Sequence, residues 1–472
     1  MKRMQGPSGR SRSKRLPLLL LLLLPLLPPR AFSQRPAPAP AQTKSLLISG
    51  GTLHVGDGRV IDDGAVGFRN GVIDYVGHAY GVQAEYDSLI DATGQQVYPG
   101  FIAVDATLGL SEISQARATD DMDETGDMTP EVRALTAYNT DSRITPTTRS
   151  NGVLLAQIVP REGTIAGTSG IVQLDAWDNA TAVYKADDGI HMNWPRAFQR
   201  SGWWAEPGET STEKEDERTK RLRELGEFFA TAKGYTMARR VYHDNAVTLS
   251  EHVLSLVEGS KGRQESPIDL RMEAMAGLFD GSKTLFVNAS VAKEIQEAVL
   301  FAKEVGVKKL VIVGGYDAWR VADLLHDDHV DVILCRLHSL PLRDDDDVDL
   351  PYRLPALLKE RNIRFALGNS GNHERALLRN LPFLAGTASA YGLTREEALT
   401  SITLDAARIL GIDARCGSLE TGKDATLFVS TGDALDMRTN NVVHAFIQGR
   451  HINLDDHQKA LYRRYSERYD GR

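Results

Sequence analysis

Hydrophobic and polar positions divide the chain into stretches of different rhythm. From Leu46 onward, short β-prone runs are broken by Gly50-Gly51, Asp57-Gly58, Asp63-Gly64 and Asn70-Gly71, dipeptides that suit tight hairpin turns. Residues 44–98 therefore read as a small antiparallel module. Residues 413–455 read the same way, with strands at 425–429 and 442–447 and a turn at Gln448-Gly449-Arg450. Two modules of one type, at opposite ends, predict a single domain built from both. Between them, strands and helices alternate. Pro99-Gly100 leads into an apolar run at 101–104, and further strand-like runs lie at 153–159, 171–174, 283–287, 309–313, 330–334 and 363–367. Helical spacing of apolar residues marks 291–305 and 316–325. Such alternation predicts parallel strands with crossover helices, as a closed (β/α)8 barrel or an open sheet. Residues 210–275 are helical and strongly charged, and read as an insertion on the barrel rim with a solvated face.

The N-terminus has another character. Basic residues at Lys2, Arg3, Arg10, Arg12, Lys14 and Arg15 precede an apolar run at 16–27, and Ala31-Phe32-Ser33 follows. This order is that of a secretory signal peptide. The apolar core is about twelve residues, short of the ~20 that span a bilayer, so cleavage after Ser33 and an exported, periplasmic or extracellular chain are expected. Residues 34–43 form a Pro/Ala tether, expected to be extended and disordered, and residues 456–472 a tail. Removing residues 1–33 takes seven positive charges and no acids away, so the formal net charge moves from −8 to −15. An acidic chain speaks against nucleic acid as a partner. Cys335 and Cys416 are the only cysteines and imply no disulfide framework. Pairing between them stays open, and the apolar run around Cys335 reads as a buried strand.

Three motifs carry a family resemblance: Tyr98-Pro99-Gly100-Phe101-Ile102, the segment 391–411, and Gly417-Ser-Leu-Glu-Thr-Gly-Lys-Asp-Ala425. Within 391–411, Thr394 and Glu397 form a capping-box pattern and Gly411 a helix stop. In this order they resemble the metal-dependent amidohydrolase superfamily, closest to its imidazolonepropionase- and dihydroorotase-like members. The resemblance implies a (β/α)8 barrel over 99–412 and a composite β-sandwich from 44–98 and 413–455. It also implies a zinc or other divalent metal held by two histidines on strand 1, one each on strands 5 and 6, and an aspartate on strand 8. At those positions this sequence has Asp105 and Thr107, Asn288, Gly314-Gly315 and Ser370. None of the twelve histidines stands two positions from another, so no shift of alignment restores the strand-1 pair. No metal and no other cofactor is expected.

Polar residues at strand C-termini are candidates by position. They are Asp105, Asn288, Arg336, His338, Asn369 and His373, with Ser339, Ser370 and Asn372 beside them. One reading is a metal-free pocket with Arg336 as an anion clamp and His338 as acid or base. The other is that Asn288, Arg336 and His338 satisfy one another where ligands were lost. The Asp344–Asp349 run lacks the spacing of a calcium loop and reads as a solvated face. The glycine-rich stretch 163–170 reads as a tight turn before a strand at Ile171, not a phosphate cradle. Asp175-Ala176-Trp177 ends that strand and is placed toward the barrel mouth. By resemblance the class is hydrolysis of non-peptide C–N bonds. Three functions stand: a catalytically silent member that binds a ligand or supports an active paralogue or a second copy of itself, an atypically ligated or metal-free hydrolase, and an envelope binding module.

Overall fold

The computed structural model describes residues 37–113, 116–197, 211–250, 268–369 and 374–470. The expected signal segment lies outside the described residues. In chain order the strands are β1 (Leu46–His54), β2 (Val60–Arg69), β3 (Val72–His78), β4 (Ser88–Asp91), β5 (Gln96–Pro99), β6 (Phe101–Ala106), β7 (Val153–Ile158), β8 (Ile165–Gln173), β9 (Val183–Asn193), β10 (Thr284–Ala289), β11 (Leu310–Gly314), β12 (Asp331–Cys335), β13 (Phe365–Gly368), β14 (Leu427–Ser430), β15 (Val442–Ile447) and β16 (Arg450–His451). The expected composite sandwich takes the form of one continuous eight-stranded sheet in the order β16-β15-β14-β5-β1-β2-β3, with β4 paired to β1. The two chain ends meet where β14 runs antiparallel to β5. Phe68, Val97, Leu427 and Phe446 are among the fully buried residues of its core.

Gly100 is the step from sheet to barrel. Its N–H donates to Thr426 O at 3.0 Å, and a Cβ there would meet Leu154 at 2.9 Å and Thr426 at 3.0 Å. Only glycine lets β5, β7 and the sheet approach this closely. The eight strands β6 to β13 close on themselves as a barrel, and β9 to β13 and then β6 and β7 run parallel. The seam between β13 and β6 is filled from outside the strands. Ile102 N–H donates to Ile402 O, and Leu367 N–H to Ser401 O, so the C-terminal helical segment helps to close the barrel. That segment begins at a true capping box: Thr394 Oγ1 accepts from Glu397 N–H, and Glu397 Oε2 accepts from Thr394 N–H at 2.9 Å. Thr394→Ala should cost about 1 kcal/mol in urea unfolding.

The barrel departs from strict β/α alternation at β7–β9. Strand β8 is antiparallel to both neighbours, so the three form a meander without crossover helices. The stretch expected as a turn at 163–170 lies mostly within β8, and β9 was not expected at all. Its sequence, Val-Tyr-Lys-Ala-Asp-Asp-Gly-Ile-His-Met-Asn, has adjacent acids where a hydrophobic pattern looks for a loop. Asp188 is nevertheless buried, because Ser169 Oγ and Gln157 Nε2 each donate to its carboxylate at 2.8 Å. Because β8 runs backwards, Asp175 points away from the mouth, correcting its expected place. It sits buried between Arg149 and Arg450, and Ala39 N–H donates to its Oδ2 at 2.8 Å. The tether is therefore anchored at Ala39 rather than loose along its whole length.

The charged insertion is also more than a rim decoration. Helix Ser211–Ser250 buries Leu225, Phe229 and Ala232, one face at helical spacing. Phe229 meets Phe301 of helix Ala292–Val305 edge-on at 5.1 Å. Its other face carries exposed ion pairs such as Arg221–Glu217. Residues 251–267 of the expected insertion lie outside the described residues.

Candidate active site

Strand β6 is buried along its whole length, and its register with β7 slips between Ala103 and Ala106. The slip is a bulge, a device that re-aims a side chain at the end of a strand. Asp105 sits in it with φ +52°, a left-handed backbone that aspartate tolerates better than most residues. Two neighbours hold it there. Gln157 Oε1 accepts the Asp105 N–H at 3.1 Å. Arg161, three residues beyond β7, donates Nη1 to Asp105 Oδ1 at 2.8 Å and to Oδ2 at 2.9 Å, and Nη2 to the Asp105 carbonyl. The Asp105 side chain is 2% exposed and that of Arg161 12%, so this is a largely buried charge pair in which both terminal guanidinium nitrogens are engaged.

Two further groups stand beside the carboxylate. His191 Nδ1, at the end of β9, is 3.8 Å from Oδ1. Cys335 Sγ, at the end of β12, is 3.9 Å from Oδ2. His191 stacks on Phe286 with ring centres 4.5 Å apart. Burial pulls its pKa down to about 3, Asp105 opposing and Arg161 reinforcing the shift. The imidazole is thus neutral at ordinary pH. A small pocket opens over these groups, lined by Asp105, Arg161, His191, Asn193, Phe286 and Asn288 among others, with about 20 Å³ of room. That space holds a water-sized occupant. His191 Nε2, Arg161 Nε and, nearby on the chain, Thr107 Oγ1 are buried without a hydrogen-bond partner among the described residues.

Of the candidates from sequence, Asp105 and Asn288 line one pocket. Asn288 Nδ2 donates to Asn193 Oδ1 at 3.3 Å. Arg336, His338 and Asn369 are not among the pocket's lining residues. Arg336 is exposed with φ +56°. His338 Nε2 is 2.7 Å from Thr387 Oγ1, and burial lowers its pKa. Asn369 Nδ2 donates to Leu377 O at 2.8 Å. Asn288 and His338 thus pair with Asn193 and Thr387. Ser370, Asn372 and His373 lie outside the described residues. The acidic run is held by its own loop: Tyr316 Oη donates to Asp346 at 2.9 Å, and Arg343 reaches both Asp346 and Asp317. Asp346 is thus committed to a cation, while the other aspartates of the run face solvent or its edge. Sequence reasoning missed Arg161 and His191. Arg161 follows a strand that was recognised, so the strand-end rule could have found it; His191 ends a strand that was not.

Residues 352–452 match the Amidohydrolase family. This stretch includes the capped helix, the return turn and β14–β15, the parts that join barrel to sheet. An amidohydrolase from Thermotoga maritima MSB8 superposes with a TM-score of 0.72 at 24% identity, over 86% of this chain and 99% of that one. A Xaa-Pro dipeptidase with methionine bound in its active site gives a TM-score of 0.51 at 15% identity, over 87% and 100%. At such identities the likeness establishes the fold. No curated protein matches by sequence. The divalent metal that the resemblance implies does not fit the described residues. No three His, Cys, Asp or Glu side chains among them are placed to hold a metal ion, and both oxygens of Asp105 already face a guanidinium.

Proposed function

We propose that this chain is an exported, catalytically silent member of the amidohydrolase superfamily that supports an active paralogue or a second copy of itself. The observation that carries the reading is the Arg161–Asp105 pair. A hydrolase of this superfamily needs a cation that activates water at the barrel mouth, and a guanidinium cannot do this, since it neither releases a proton nor opens a coordination position. The pocket over it suits a water-sized occupant better than an acyl dipeptide. Export rests on the basic, then apolar, N-terminal pattern. Among the described residues no helix is long and apolar enough to cross a membrane.

A second reading, an atypical metal-free hydrolase of non-peptide C–N bonds, draws on the His191–Asp105 proximity. A neutral imidazole with so depressed a pKa is a weak base near pH 7, which disfavours it. The tag-free, full-length protein should show no stoichiometric zinc and no turnover of acyl dipeptides or cyclic imides, with or without added zinc. Turnover at ordinary enzyme rates, lost on Asp105→Ala, would sink the silent reading. A native pull-down that returns a second amidohydrolase or a homo-oligomer supports the partner role, and one that returns the monomer alone removes it.

A further inference from the structure

The arm that leads into β1, residues 37–43, is held to the fold at two points. Ala39 uses both of its backbone groups: its N–H donates to Asp175 Oδ2 at 2.8 Å, and its carbonyl accepts from Arg450 Nη1 at 3.1 Å. Three residues on, Gln42 uses its whole side-chain amide. Its Oε1 accepts the Gly71 N–H at 2.7 Å, and its Nε2 donates to Phe68 O at 3.1 Å and to Lys44 O at 2.9 Å. The groove that receives them lies between the β2–β3 turn, the β15–β16 turn and the segment after β8. We propose that it is a docking site for an extended peptide of the Ala-Pro-Ala-Gln kind, and that it takes this arm from a second copy of the chain as well as from its own. The inference rests on the second-copy partner of the reading above, and not on the silence of the barrel mouth.

Three observations carry it. The groove is built without the arm, which is the first. Arg149 Nη1 donates to Asp175 Oδ1 at 2.6 Å, and Gln173 Oε1 accepts from both Arg450 Nη2 and Asp175 N–H at 2.9 Å. An empty groove therefore keeps its charges paired and its donors aimed. The second is fit. Gly449 has φ +73°, and a Cβ there would run into the Gln42 amide, while Gly71 presents its N–H to the same amide from φ +83°. Two turns that need glycine thus face one side chain. Ala39 packs against the hydrophobic core, whereas Ala37, Pro40, Ala41 and Thr43 are exposed. Backbone bonds at one position and a pocket for one side chain are the usual terms of extended-peptide recognition. The third is that the arm can change hosts as a unit. Residues 37–43 carry no charge, Pro38 and Pro40 stiffen them, and only Thr43, Lys44 and Ser45 separate Gln42 from the start of β1. Short hinges of this kind favour exchange. Docked on a neighbour, Ala39 remakes each of its bonds and Gln42 those to Gly71 and Phe68, which makes exchange between identical chains a low-cost route to a dimer.

The test uses full-length chains and a fluorescent peptide of residues 37–44. Ala39→Pro with Gln42→Ala removes the N–H donor and the amide from the chain's own arm and leaves the groove untouched. By anisotropy this variant should bind the peptide at least about tenfold more tightly than wild type, whose own arm fills the groove at high effective concentration. A peptide with the same two substitutions should not bind. In sedimentation, wild type should form a dimer that grows with concentration and that excess peptide disperses, while the variant stays monomeric. Gln42→Ala alone serves if the double variant does not fold, and carries the same expectations. The proposal is overturned if a variant with wild-type circular dichroism takes up no peptide, or if wild type binds the peptide as tightly. It is also overturned if wild type stays monomeric, or if its dimer survives loss of the two anchors. That last outcome removes the groove and keeps the second-copy reading, whereas turnover by wild type removes the silent reading and leaves the groove standing.

Discussion

Asp175→Ala should destabilise the fold by about 3–5 kcal/mol, read as a lower urea midpoint with an unchanged slope. The carboxylate is fully buried and is shared by two arginines: Arg149 Nη1 donates to Oδ1 at 2.6 Å and Arg450 Nη1 to Oδ2 at 3.0 Å. Arg149 is itself buried, and burial already pulls its pKa down. Loss of the shared counter-ion leaves two cations with little water to compensate. The penalty is that of uncompensated charge, which exceeds the net worth of the intact pair. The same carboxylate links three parts of the chain. Arg450 comes from β16, Asp175 follows β8, and Ala39 donates its N–H to Oδ2 while Arg450 bonds its carbonyl. Limited proteolysis should therefore cut near residues 37–43 sooner in the variant. A midpoint shift equivalent to less than 1 kcal/mol would show that the network is ornamental.

How far the sequence revealed this fold depended on where each strand found its hydrogen-bond and charge partners. Strands β10 to β13 were legible because each is a short apolar run followed by a connection with helical residues, and their burial needs no help from side-chain polarity. The pairing of the chain ends was legible in kind, from turn dipeptides on both sides. Strands β8 and β9 were not. Ser169, Gln157 and Asp188 satisfy one another inside the barrel wall, and a partner 31 positions away in sequence leaves no trace in local hydrophobicity. Gly189 adds to the disguise: a Cβ there would meet the Phe286 ring at 2.4 Å and Thr284 O at 2.5 Å, so close packing of β9 on β10 demands a residue that usually signals a turn. The site followed the same logic. Asp105 and Asn288 could be placed by counting strands from known motifs. Arg161 and His191 gain their meaning only when β7, β9 and β6 close around one carboxylate.

The second large effect concerns that carboxylate. Arg161→Met should cost about 3–5 kcal/mol, since it leaves Asp105 buried and charged without its counter-ion. His191 takes over only part of the role, because burial, the largest cause of its depressed pKa, remains in the variant while only the lesser push from Arg161 is removed. Arg161→Lys should recover only part of the loss. An ammonium can meet one carboxylate oxygen, but it cannot also reach the Asp105 carbonyl in the planar geometry of the guanidinium. Asp105→Asn alone is also costly, as it leaves the arginine charge largely buried. The double variant, Asp105→Asn with Arg161→Met, removes both charges together. It should be more stable than the sum of the single losses predicts, by about 2 kcal/mol or more. Urea unfolding of all four proteins at one pH measures this coupling. A value near zero would mean that the two side chains are neighbours without energetic dependence, and the buried pair would then be no stabilising unit of the barrel mouth.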